Sequence, residues 1–166
     1  MKKIILLLAV LLPMAVLAQK NPVDKLFEKY ANQKGFTTVN ISGKLLGFAS
    51  NLDVGDPATK DMLNGLKGIR VLSVEDDDLN EKIDFYKELE ADGFFKNNDY
   101  EVLMEVTEDD EIVRFLAKDA GNGKISDLLL VVGGDDNALI SIQGIIDPAN
   151  IGKITKAVNV DVGDFE

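Results

Sequence analysis

Apolar residues recur at helical spacing through much of the first hundred positions and at strand spacing after them, with the change of period near Tyr100. Asn21 followed by Pro22 supplies a helix start, and Val23, Leu26, Phe27 and Tyr30 then recur at i, i+3, i+4 and i+7 until Gly35. Phe36 to Ser42 alternates, with Val39 and Ile41 on one side, and predicts a strand. Gly43 to Leu52 predicts a short helix carrying Leu45, Leu46, Ala49 and Leu52. A second short helix opens after Asp56 and Pro57 with Met62, Leu63 and Leu66 inward, and Ile69 to Val74 is the next strand. Asp78-Leu79-Asn80-Glu81 has the spacing of a capping box, Asp standing in for Ser or Thr, and predicts one helix with Leu79, Ile83, Tyr86 and Leu89 on a face until Gly93. Pro148 opens a last amphipathic helix carrying Ile151, Ile154 and Val158, before an acidic tail from Asp161 to Glu166.

From Tyr100 to Ile146 the period of two predicts four consecutive strands joined by short turns. A slip of one residue would turn every side chain to the opposite face, so register can be tested by parity. Centring the first turn on Asp109-Asp110 sets Val106 opposite Val113, Met104 opposite Phe115 and Val102 opposite Ala117, while Glu105 meets Arg114 and Glu101 meets Lys118. Asn122-Gly123 is a favoured pair for a type I′ hairpin. Centring the second turn there places Val113 opposite Val132, Phe115 opposite Leu130, Ala117 opposite Leu128 and Lys118 opposite Asp127. Both hairpins then turn Val113, Phe115 and Ala117 to one interior. An odd-length third connection through Asp135-Asp136-Asn137 keeps Val132 and Leu130 on that face, opposite Ile140 and Ile142.

The same register lines up Leu103, Leu116 and Leu129 on the reverse side, with Val131 beside them and Glu101, Glu105, Arg114, Lys118, Asp127, Ser141 and Gln143 at the flanks. An apolar stripe rimmed by charge has the composition of a protein-binding patch, and these four residues are the candidate interaction surface. The competing reading is that a helix or a second copy of the chain covers the stripe.

The N-terminus decides the compartment. Lys2 and Lys3 precede the apolar run Ile4 to Leu12, and Val16-Leu17-Ala18 is a small-residue exit before Gln19. This pattern predicts an export signal over residues 1–18, cleaved between Ala18 and Gln19, and a single globular domain over residues 19–166. The apolar run is shorter than the roughly 20 residues that span a bilayer, and no cysteine follows it for lipid attachment, so no stable membrane anchor is expected. The periplasm or the exterior is the expected destination. Cleavage removes Lys2 and Lys3, leaving 16 of the 18 basic residues against 29 acidic ones, a net charge of −13. Such a balance argues against nucleic acid, whose phosphates need a basic footprint. Cysteine, histidine and tryptophan are absent, which excludes thiol chemistry, Ser-His and Cys-His nucleophiles and His-ligated zinc.

The order of segments is also informative. Leu26-Phe27-Glu28-Lys29-Tyr30, then Gly35-Phe36-Thr37-Thr38-Val39-Asn40-Ile41-Ser42, Leu66-Lys67-Gly68-Ile69-Arg70-Val71-Leu72 and a late Ile142-Gln143-Gly144 together resemble the uncharacterised domain family numbered 4252. The likeness covers nearly the whole mature chain. It implies a small exported protein of Gram-negative bacteria and brings no activity, catalytic residue or cofactor with it. Many members look like lipoproteins, with a cysteine after the signal; Gln19 departs from that pattern.

Three acidic clusters remain: Glu75-Asp76-Asp77-Asp78, Glu108-Asp109-Asp110-Glu111 and Asp135-Asp136-Asn137. None has the alternating Asp-x-Asp-x-Asp-Gly spacing that wraps a loop around calcium, and solvated charge at turns and caps is the plainer reading. Carboxylate pairs can hydrolyse glycosides, but sugar clefts stack rings on aromatics and this chain has no Trp. Gly121-Asn122-Gly123-Lys124 lacks phosphate-loop spacing, and the sequon Asn40-Ile41-Ser42 falls within a predicted strand. The expected fold is α+β: a four-stranded antiparallel meander extended by two earlier strands, helices packed mainly on one face, with a doubly wound parallel sheet as the alternative. The expected function is non-enzymatic, with no cofactor: binding of an envelope or extracellular protein, or of a second copy of the chain. A small carboxylate enzyme or a calcium or small-ligand binder is the alternative.

Overall fold

The computed structural model describes residues 21–51, 57–97 and 99–148. The predicted signal with its Ala18-Gln19 junction, the Leu52 and Asp56 positions and the final helix with Ile151, Ile154 and Val158 lie outside them. Helix α1 (Pro22–Tyr30) begins as its sequence dictates: the Asn21 side chain accepts a hydrogen bond from the Val23 amide at 3.0 Å, Pro22 occupies the first turn, and Val23, Leu26, Phe27 and Tyr30 are buried. Strand β1 (Phe36–Ser42) follows, then α2 (Gly43–Asn51), α3 (Pro57–Gly65) and β2 (Leu66–Val74). Two short helices, α4 (Asp77–Asn80) and α5 (Phe85–Ala91), precede α6 (Phe94–Asn97). The meander closes the described chain as β3 (Glu101–Glu108), β4 (Glu111–Gly121), β5 (Lys124–Gly133) and β6 (Ala138–Ile146).

The six strands of the described residues form one sheet in the order β1-β2-β6-β5-β4-β3, and every neighbouring pair is antiparallel, so the fold is α+β and the doubly wound alternative is excluded. The predicted pairs Val106–Val113, Met104–Phe115, Glu105–Arg114, Phe115–Leu130 and Val113–Val132 are all present. Asn122 and Gly123 both take positive φ, as a type I′ turn requires, and the hairpin closes with Gly121 opposite Lys124.

The register departs from expectation at bulges. Between Val102 and Met104 the β3–β4 pairing slips, so Val102 faces Leu116 and Glu101 faces Ala117, in place of Ala117 and Lys118. A second slip after Leu116 pairs Lys118 with Ser126, although the Lys118 ammonium still lies 3.8 Å from the Asp127 carboxylate. In the third hairpin Leu130 faces Ile140, Val132 faces Ala138 and Leu128 faces Ile142, two residues from the expected pairing and on the same face.

Two cores flank the sheet. On one face α1, α5 and α6 bury Leu26, Phe27, Phe85, Leu89 and Phe94 against Leu72, Leu116, Leu129, Val131 and Leu139. On the other, α2 packs on β1 and β2, and α3 on β2 and β6, so that Leu46 and Met62 join Ile69, Leu130, Ile140 and Ile142. On α2 Leu45 is 56% exposed, whereas Leu46 and Ser50 are buried. The helix predicted from Asp78 to Gly93 is two helices. Asp76 caps α4 by accepting from the Leu79 amide, and Asp84 restarts the chain as the cap of α5 by accepting from the Lys87 amide. A second capping aspartate within the apolar period ended the first helix.

Candidate functional site

The predicted docking stripe is core. Leu116 is 1% exposed and Leu129 and Val131 are 0% exposed, buried beneath α1, α5 and α6. Leu103 alone is accessible, and it falls at the β3 bulge, where Val102 takes the place opposite Leu116. The stripe lies on the side opposite Phe115, as expected, but helices cover that side, which is the competing reading, and each buried leucine contributes roughly 1.5–3 kcal/mol there. Val113, Phe115 and Val132, expected as the main interior, are partly buried on the second face.

What the fold leaves accessible is its two edges, and they differ. Strand β3 carries Glu101, Glu105 and Glu108 and a bulge beside its exposed Val102, Leu103 and Met104. Charge and irregular twist are devices that keep an edge from pairing. Strand β1 has neither. Its sequence Phe-Thr-Thr-Val-Asn-Ile-Ser holds no charge and no proline, it pairs with β2 over seven residues without a register shift, and Thr37 to Asn40 are exposed. Among the described residues no strand pairs with its outer side. An open, regular, neutral edge offers a row of backbone donors and acceptors to an added strand.

Beside that edge lies a groove of about 410 Å³ between α1 and β1. Asn40 is directly paired with Arg70, so their side chains share the α1 side of the sheet. The Arg70 guanidinium sits 4.4 Å from the centre of the Phe27 ring and donates to Asp24 Oδ1 at 2.8 Å. Its Nε is buried with no hydrogen-bond partner. Asp24 and Glu28, one turn apart on α1, line the outer wall, with Thr38 and Asn40 opposite. The edge and its groove are not among the sequence expectations; the available signals were a strand without charge in a chain rich in it, and an arginine at the centre of β2.

The sequence matches the model of a domain of unknown function, DUF4252, over residues 30–154. The chain belongs to the DUF4252 family. No curated protein and no solved structure matches it.

In this DUF4252 domain several of the acids, Asp76 and Glu75 of the first cluster among them, have structural work. Asp76 and Asp84 cap helices, and Glu75 accepts from the Ser73 hydroxyl. Among the described residues no three His, Cys, Asp or Glu side chains converge as a metal would need, and no helix is long and apolar enough to cross a membrane. A second surface cleft, between α1 and α5, is bridged by Lys25 to Asp92 at 3.0 Å and by Lys29 to Glu88 at 2.7 Å. Tyr30 also donates to Glu88. Burial, followed by that hydrogen bond, raises the Tyr30 pKa, and the hydrogen bond to Glu88 raises that of Lys29. Both shifts favour the protonated forms, which keep the hydrogen bonds that tie the two helices together.

Proposed function

We propose that this DUF4252 protein is exported and works without catalysis of its own, by accepting an extended segment of another envelope protein along β1. The observation that carries this reading is the contrast between the edges: β3 is guarded by glutamates and a bulge, whereas β1 is regular, uncharged and flanked by a groove. Main-chain hydrogen bonds would give the affinity and the groove the selectivity. The basic n-region, apolar run and Ala18-Gln19 exit support export, and the lack of histidine and cysteine supports a non-enzymatic role.

Photocrosslinking in cells separates the edges. A photoreactive residue at Val39 should capture one discrete protein, whereas one at Met104 should not, and the crosslink should make the outer amides of β1 slow to exchange. Equal capture from both positions, or capture from Met104 alone, would remove the basis of the proposal.

A further inference from the structure

We infer that the segment accepted by β1 turns an uncharged, apolar side chain into the groove beside Thr38; this inference rests on the strand-addition reading. An added strand continues the alternation of β1, so every second side chain falls on the α1 side of the sheet, level with Thr38 and Asn40. The two levels differ. Asn40 is paired with Arg70, whose guanidinium reaches Asp24 near the start of α1. Tyr30, at the end of α1, stacks on Phe36 at the start of β1 with ring centres 4.8 Å apart. Ala31, which follows Tyr30, therefore walls the level of Thr38, and Phe27 lies between the two levels. No charge in the groove waits for a guest. Asp24 holds Arg70, the guanidinium covers the Phe27 ring at 4.4 Å, Glu28 has a partner of its own, and β1 carries no charge. A charged guest side chain would lose part of its hydration there and gain no opposite charge. An aliphatic one covers the partly exposed Ala31 and the methyl group of Thr38 instead. The composition of β1 also answers the competing occupant. A second copy pairing antiparallel about Val39 would set Asn40 opposite Thr38, a polar amide at the level that favours an apolar group. It would also bring together two chains of formal charge −11.

The test uses the purified protein and end-capped seven-residue peptides of alternating valine and threonine, identical except for Leu, Ala, Lys or Glu at the central groove-facing position. Binding is followed by fluorescence anisotropy, and the state of the protein alone by sedimentation. The Leu peptide should bind about fivefold tighter than the Ala peptide, and the Lys and Glu peptides no tighter than Ala. About 0.5 M salt should leave that order unchanged, since no ion pair sets it. Ala31→Glu should bring an unanswered carboxylate to the wall, narrowing the Leu preference and favouring the Lys peptide at low salt, with the fold seen by circular dichroism unaltered. Equal binding of all four peptides, or tighter binding of Lys or Glu than of Leu, would overturn the apolar side chain while leaving strand addition intact. No binding by any peptide to a monomeric protein would overturn both. A dimer that Val39→Lys dissociates, with no peptide bound, would assign the edge to a second copy and overturn both.

Discussion

The Asn137 side-chain oxygen accepts a hydrogen bond from the Phe85 amide at 2.8 Å, across 52 residues of chain. The Asn137 Nδ2 donates to the Ile83 carbonyl at 2.8 Å, to Gly134 O at 3.1 Å and to Asn80 Oδ1 at 3.2 Å, while the Asn137 backbone carbonyl accepts from the Val74 amide. One side chain, 2% exposed, thus satisfies the backbone where the chain breaks between α4 and α5 and ties that break to the β5–β6 turn. Asn137→Ala should cost about 3 kcal/mol, because it leaves a buried donor and acceptor unpaired. Urea unfolding would measure it. Asn137→Asp keeps the acceptor and loses the donors; burial near carbonyl oxygens raises the new carboxyl's pKa, so its deficit should shrink as pH falls through that value.

Gly144 has φ of 128°, and a Cβ there would lie 2.7 Å from the Leu66 Cα and closer still to the Gly65 carbonyl. Gly144→Ala should therefore cost about 2 kcal/mol or more, as strained backbone and a collision between β6 and the start of β2 combine. Gly47 is the control. It lies in α2 with nothing within 4 Å of an added Cβ, so Gly47→Ala should stabilise by about 0.5–1 kcal/mol. Thermal unfolding of the two variants tests both signs.

Alkali should unfold the domain through its tyrosines. Burial, then the carboxylates of Asp127 and Asp24, push the Tyr100 hydroxyl up to about 12 from 10.0. Tyr30 and Tyr86 are also raised, in each case chiefly by burial. A folded pKa above the unfolded one means stability is complete below pH 10 and is lost as pH rises through the folded values. Tyr100→Phe should flatten the decline between about pH 10 and 12. Denaturation midpoints across that window, with tyrosinate absorbance as the local reporter, would check it.

The six strands and α1 were legible because their signals are local: an Asn-Pro helix start, period-two alternation and an Asn-Gly turn. Parity also fixed which residues share a face. It could not say which face the helices cover. Both faces of β4 are apolar, Val113, Phe115 and Ala117 on one side and Leu116 on the other, because both are covered. A two-sided sheet cannot be oriented by alternation alone. The bulges at Leu103 and after Leu116 were hidden for a related reason, since an inserted residue shifts register without changing composition. Strand β1 became a candidate only once the sheet order placed it at an edge.

Leu116 and Leu103, neighbours in the predicted stripe, differ in the fold. Leu116 packs against buried aromatics and aliphatics beneath the helices, so Leu116→Ala removes its transfer energy and leaves a cavity, for a loss of about 3 kcal/mol. Leu103 is 49% exposed at the bulge of an edge strand, and Leu103→Ala should stay within about 0.5 kcal/mol. Leu116→Glu would bury an unpaired carboxylate and should leave no cooperative unfolding transition at neutral pH. Guanidinium titrations of the three variants decide the point. A folded, stable Leu116→Glu protein would mean that the face under α1 opens to solvent, contrary to the packing of Phe85, Leu89 and Phe94 around it.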